Sequence, residues 1–340
     1  MTVKFPAEWE PQDGVLLAWP HAATDWGPVL QRVEPVFIRL VQEISDQQRV
    51  LLVTEDAPQL EKKLRARFID LNRVTLVQQP LNDTWCRDFG PLTVLTDSGP
   101  RLQNFNFNGW GGKFPAERDN AVTEALHRQG LLQGALDSHL LVLEGGSIES
   151  DGCGTLLTTS RCLLNPNRNP GWSRAKIEDT LCRILGARRI LWLEHGHLVG
   201  DDTDAHIDTL ARLAPKDTIV HVACDDATDE HFLPLSRMAE ELNAFRTAAN
   251  KPYRLLPLPW PQACLDEQGR RLPATYANFL IINEAVLVPT YGVPQDNAAL
   301  AVIGEAFPHR RIIGINCSDI IRQGGSLHCL TMQLPQGVLP

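Results

Sequence analysis

Apolar residues in this chain fall into short continuous runs, and between the runs apolar and polar residues alternate with the spacing of an amphipathic helix. The order of these blocks recurs five times. Each copy reads as an apolar strand, a polar or proline-rich loop, an amphipathic helix, a second apolar strand, and a loop rich in Gly, Asp or His. The first copy runs from VLLAWP at 15–20 through a helix near 29–47 to RVLLVTE at 49–55. An extra helix and strand, PQLEKKLRARF and RVTLVQQ, follow before TWCRDFGP. The second runs from LQNFNF at 102–107 through DNAVTEALHRQG to HLLVLEGGSIES at 139–150. The third runs from CLLNPN at 162–167 through SRAKIEDTLCRIL to RILWLE at 189–194, then GDDTDAHID. The fourth runs from TIVHVA at 218–223 through HFLPLSRMAEELNAF to YRLLPLP at 253–259, then TYANFLII. The fifth runs from AVLVPT at 285–290 through DNAALAVIGEAF to RIIGIN at 311–316, then GGSLHCLTM.

Helices alternating with strands place the chain in the α/β class. Five similar units with no linker between them predict a closed ring forming one domain over residues 1–340. The second and fifth copies are most alike. Asp119-Asn120-Ala121 returns as Asp296-Asn297-Ala298, and Gly145-Gly146-Ser147-Ile148-Glu149 returns as Gly324-Gly325-Ser326-Leu327-His328, at offsets of 177 and 179 residues. In a ring, equivalent loops meet on one axis. TWCRD, LEGGS, GDDTDAHID, YANF and GGSLHC are therefore expected to share one pocket.

Composition then narrows the function. The formal charge of −9 lacks the basic stripe of a nucleic-acid binder and suits a cationic partner. No run of 18 apolar residues predicts a membrane span, and MTVKFPAEWEPQDG has no apolar signal region. A cytoplasmic location is expected. The eight cysteines contain no CxxC pair, which argues against a zinc ribbon. In a reducing compartment most of them serve as small buried hydrophobes. A homo-oligomer is left open.

Four segments carry candidate chemistry. Cys329 follows the Gly324-Gly325 turn, which lets backbone approach a ligand closely and presents the sulfur; the bland alternative is a buried cysteine opening the strand LTMQL. In Asp204-Ala205-His206-Ile207-Asp208, an extended backbone puts Asp204, His206 and Asp208 on one face, a site for a cation. That cation could be a metal, since DAHID fits the DxHxD of manganese ureohydrolases, but the GGDH-type and SxDxDxxxP motifs that complete such a centre do not occur. In Trp85-Cys86-Arg87-Asp88, a carboxylate stands beside a large flat ring, able to bind a cation and cover its stem. Cys86 is an alternative nucleophile without a glycine turn. Glu144 ends the strand HLLVL and could orient a histidine from a neighbouring unit.

These residues lie in motifs that resemble a known family. PAEWEPQDGVLLAWP at 6–20, WCRDFGP at 85–91, LEGGSIESDG at 143–152, LLNPNRNP at 163–170, GDDTDAHIDTLAR at 200–212, YGVPQDNAA at 291–299 and GGSLHCLTMQLP at 324–335 are similar, in order, to those of the agmatine deiminases and bacterial-type peptidyl-arginine deiminases. These are guanidino-group modifying enzymes with the pentein fold, a five-bladed pseudo-symmetric ring of ββαβ units. The resemblance implies that Cys329 is the nucleophile, His206 the acid–base histidine, and Asp88 and Asp208 the carboxylates that grip the guanidinium. It further implies that Glu144 hydrogen-bonds the histidine and that Trp85 lines the pocket. DDTDAHIDT and GGSLHC differ from the commoner DETDGHVDN and GGNIHC beside these residues, not at them.

The implied reaction is deimination of a small cationic substrate, agmatine, to N-carbamoylputrescine and ammonia through a covalent thiouronium on Cys329, in polyamine biosynthesis or arginine catabolism, with neither metal nor cofactor. Asp202, four residues before His206, is the expected partner of the distal amine. A peptidyl-arginine deiminase would need an open cleft, and a free-arginine deiminase a basic residue for the α-carboxylate. A metal-dependent ureohydrolase and a non-catalytic guanidine- or polyamine-binding protein are the competing classes.

Overall fold

A computed structural model describes residues 2–340. Its strands form five small sheets, each with a parallel pair and one antiparallel strand. Parallel neighbours cannot be joined by a tight turn and need a crossover, here a helix. In blade 1, Gln12–Ala18, Arg49–Thr54 and Val74–Gln78 run parallel, and the crossover is Leu30–Ser45. In blade 2, Gly99–Asn106 and Ala135–Val142 are parallel and Leu92–Thr96 is antiparallel to the first, with Val3–Lys4 paired outside it. Blade 3 contains Ile148–Ser150, Thr155–Thr159 and Arg189–Leu193. Blade 4 contains Ala211–Ala214, Thr218–Val222 and Arg254–Leu258. Blade 5 contains Leu280–Ile281, Ala285–Thr290 and Arg311–Asn316.

The helices follow from their apolar spacing. Val33, Phe37, Leu40, Val41 and Ile44 recur every three or four residues on Leu30–Ser45 and are all buried. Arg174–Leu185 starts where the Ser173 hydroxyl accepts from the Lys176 N–H and stops at Gly186, whose φ of 70° suits the residue after a helix. Buried apolar side chains from all five sheets form one contiguous core.

The repeat read from the sequence is present, with one shift. CLLNPN is not the first strand of the third copy. That strand is Thr155–Thr159, and Cys162 lies in the helical turn Ser160–Leu163 that follows it. Thr159 caps this turn by accepting from the Cys162 N–H, so the chain leaves the sheet before the apolar run ends.

Blade 1 is completed by the far end of the chain. Thr331–Pro335 pairs antiparallel with Gln12–Ala18, Thr331 opposite Leu17 and Gln333 opposite Val15. In each blade the antiparallel strand enters from a tight turn. The turns Cys86–Phe89, Gly145–Ser147 and Ile207–Thr209 precede Leu92–Thr96, Ile148–Ser150 and Ala211–Ala214. The segments 275–279 and 326–330 occupy the same place before Leu280–Ile281 and Thr331–Pro335. Every candidate residue except Asp202 and Asp204 lies on or directly beside one of these turns.

Deleting residues 331–340 would leave Gln12–Ala18 without its antiparallel neighbour and remove the strand that anchors Cys329. The expected result is loss of a cooperative thermal transition, measured by circular dichroism, rather than a modest drop in Tm.

Candidate active site

Cys329 is 4% exposed and opens onto a cleft of about 620 Å³, counting the open space at its mouth. Two glycines make the approach. Gly324 has φ of 85°, and a Cβ on Gly325 would stand 2.3 Å from the Trp85 ring, so only bare backbone can lie over this indole. Asn278 clamps the cysteine from both sides. Its Oδ1 accepts from the Cys329 N–H at 3.2 Å, and its Nδ2 donates to Sγ at 3.0 Å. The thiol faces Asp208 Oδ2 at 3.6 Å. Burial, with the charges of Asp208 and Asp88 beside it, pushes the thiol well above its ordinary range. Both influences oppose a thiolate in the free enzyme.

Gly146 marks how closely the rest converges. A Cβ built there would lie 2.6 Å from His206 Nδ1, 2.9 Å from Asp88 Oδ1 and 3.0 Å from Asp208 Oδ2. Asp88 accepts from the Gly146 N–H at 3.0 Å and from Trp110 Nε1 at 2.9 Å. Burial pushes its carboxyl up to about 6, against the pull of the nearby His206. Asp208 goes the other way. Burial would raise it, but the hydrogen bond and charge of His328, with Nδ1 at 2.7 Å, hold it below its ordinary value. One of the two acids is thus firmly ionised and the other titrates near neutrality. His206 is fully buried, and its Nδ1 lies 3.6 Å from Asp88 Oδ1. Neither ring nitrogen has a hydrogen-bond partner. Burial works against its charge, yet Asp88, then the Cys162 sulfur and Glu144, hold the imidazole well above its ordinary value.

Two sequence expectations are corrected. Glu144 does not hydrogen-bond His206. The fully buried Arg168 instead donates from Nε to both Glu144 oxygens at 2.9 Å. Asp204 does not share a face with His206 and Asp208. Asp204 and Ala205 both have φ of 66°, which breaks the extended backbone and turns Asp204 toward Arg168 Nη1 at 2.6 Å and Lys113 Nζ at 2.9 Å. Donor atoms of Glu144, Cys162 and His206 lie within 4.8 Å of one another, as do those of Glu8, Glu149 and His328. In both groups a buried guanidinium, Arg168 or Arg212, already pairs with the acids and supplies the positive charge a cation would bring.

Trp85 and Asp202 line the cleft as expected, and Asp25 and Asp83 join them. Burial raises Asp202 and pushes Asp83 up to about 6. Cys86 does not line it. That residue is fully buried, and burial holds its thiol well above the ordinary range, as expected of a structural cysteine. The sequence reading missed Asn278, Trp110, Asp83 and Arg168. Trp110 had a visible signal, three glycines around one tryptophan in NGWGGKF. Residues 109–112 have φ of 68°, 56°, 87° and 81°, a left-handed turn that aims the indole N–H at Asp88.

A family model described as Porphyromonas-type peptidyl-arginine deiminase matches residues 4–335. The chain belongs to this family. A Porphyromonas gingivalis structure, provisionally titled an arginine deiminase, is 49% identical, with TM-score 0.95 and 100% of both chains covered. A cysteine variant of C. jejuni agmatine deiminase with substrate bound is 39% identical, with TM-score 0.92, 99% of this chain covered and 97% of that one. A Marinomonas sp. (strain MWYL1) protein, provisionally named an agmatine deiminase, is 33% identical over 98% of this chain and 94% of its own. The fold is the pentein fold, and the chain is an amidine-hydrolysing enzyme of that superfamily.

Two outcomes are expected. Gly146→Ala drives a methyl group among His206, Asp88 and Asp208, so kcat/KM should fall at least roughly 100-fold, the scale of a misplaced reacting group, with the circular dichroism spectrum retained. A carboxylate at Asp88 attracts a cationic substrate and a protonated one does not, so kcat/KM should decline as pH falls through about 6. A flat profile down to pH 5 would contradict this assignment.

Proposed function

We propose that this enzyme hydrolyses agmatine to N-carbamoylputrescine and ammonia. The observation that carries the choice of substrate is the excess of acid in the cleft. Asp88 and Asp208 suffice for one guanidinium. Asp25, Asp83 and Asp202 line the same cleft nearer solvent and leave negative charge for a second cation, the distal amine. The names borne by the C. jejuni and Marinomonas relatives agree with this reading, and the flat walls of Trp85 and Trp110 suit an alkyl stem.

The chemistry begins with the substrate's charge. A guanidinium is protonated at any working pH. Gripped by Asp88 and Asp208, it sets a positive charge against the Cys329 sulfur and adds to the Asn278 donor already there, so that the thiol releases its proton to solvent and becomes a thiolate. The sulfur attacks the guanidinium carbon and forms a C–S bond. His206 gives a proton to the leaving nitrogen, the C–N bond breaks, and ammonia departs. The neutral imidazole then takes a proton from water. The oxygen attacks the same carbon, the C–S bond breaks, and the ureido product leaves with the thiolate restored. Glu144 assists through its charge, which favours the imidazolium, rather than through a hydrogen bond.

An ammonia-release screen of agmatine, free arginine and an arginine peptide tests the reading. Agmatine is expected to dominate, and comparable turnover of either alternative would overturn the choice of substrate. Cys329→Ala should abolish release with the melting temperature unchanged within a few degrees. Asp202→Asn should raise KM for agmatine roughly fivefold, the value of one partly exposed ion pair, with kcat little altered.

A further inference from the structure

The cleft is walled by one cation. Arg322 lies on the turn Ile320–Gln323, just before the Gly324-Gly325 approach to Cys329, and every other charged residue lining the cleft is an aspartate. Arg322 is tied from behind. Its Nη1 donates to Glu267 Oε2 at 2.5 Å. Its Nε is buried without a hydrogen-bond partner, 3.4 Å from Asp319 Oδ1 in poor geometry. Glu267 sits at the tip of a loop pinched by the Leu265 and Arg271 backbones, 58% exposed, with Arg32 at 3.9 Å.

A surface pair of this kind adds little to the stability of a fold. Its effect on the cleft is larger. A guanidinium offers a carboxylate an end-on fork from its two terminal nitrogens, and Glu267 occupies one of them, Nη1. With Glu267 in place, a ligand carboxylate entering the cleft meets acids and a neutralised arginine. With Glu267 removed, it would meet a guanidinium whose terminal nitrogens are free, with Asp319 still beside Nε.

We propose that Glu267, acting through Arg322, is a specificity-determining residue that excludes guanidino compounds carrying a carboxylate in favour of those with a cationic tail. The proposal rests on the reading of this cleft as the guanidino site. It is measured by binding rather than turnover, so that the two can fail separately: ammonia release by the unaltered enzyme tests the reaction, and calorimetry in a Cys329→Ala background tests the selectivity.

In that background, dissociation constants for agmatine and free arginine are compared with and without Glu267→Gln, and with Glu267→Gln combined with Arg322→Gln. Arginine is expected to bind at least fivefold more tightly once Glu267 is neutralised, agmatine no more tightly than before, and the double change should abolish the gain. Arginine affinity unchanged within twofold on Glu267→Gln overturns the proposal, as does a gain that persists without Arg322.

Discussion

Crowded negative charge around a buried sulfur, which opposes its ionisation, governs this structure. Asp88, Asp208 and His206 are buried around Gly146 so tightly that no methyl group fits among them, and the Cys329 sulfur lies 3.6 Å from Asp208. Each carboxylate raises the cost of a thiolate, and burial raises it further. The arrangement becomes favourable only when a cation fills it. In the proposed reaction, a site of this design selects its ligand by charge and keeps the Cys329 sulfur unreactive until that ligand is present.

Holding two acids in such a place takes positive charge behind them. His328 places Nδ1 at 2.7 Å from Asp208 and Nε2 at 2.8 Å from Glu8. Arg212, fully buried, donates to Glu8, Glu149 and the carbonyls of Ala277 and Phe279, and so joins the N-terminal segment to blades 3, 4 and 5. Arg168 does the same on the other side, where Glu144, Asp204 and the Thr203 carbonyl meet. Buried ion pairs of this type contribute little net stability, because desolvation offsets their attraction. Their effect is geometric. They fix which turn faces which, and losing one partner would leave an uncompensated charge in the core.

The repeat was the legible part of the sequence. AVLVPT and RIIGIN became the strands Ala285–Thr290 and Arg311–Asn316 with unchanged boundaries, because apolar runs between turn residues leave little freedom. The converging turns, and with them Cys329, His206, Asp88 and Asp208, followed from the ring. What stayed hidden depends on contacts between distant segments. Arg168 looks like any arginine in NPNRNP, and nothing local says that it will take Glu144 from His206. The misplaced strand at CLLNPN has a similar cause, since a capping threonine ended the strand inside an apolar stretch. Trp110 needed backbone conformations that a glycine pattern permits without requiring.

The ionisation of Cys329 tests the account most directly. The thiolate absorbance of the enzyme, taken as a difference from Cys329→Ser, can be followed at neutral pH while guanidinium chloride is added below denaturing concentration. The account expects no thiolate signal from Cys329 in the free enzyme and its appearance as guanidinium binds. A full thiolate signal at neutral pH before any cation is added would contradict it.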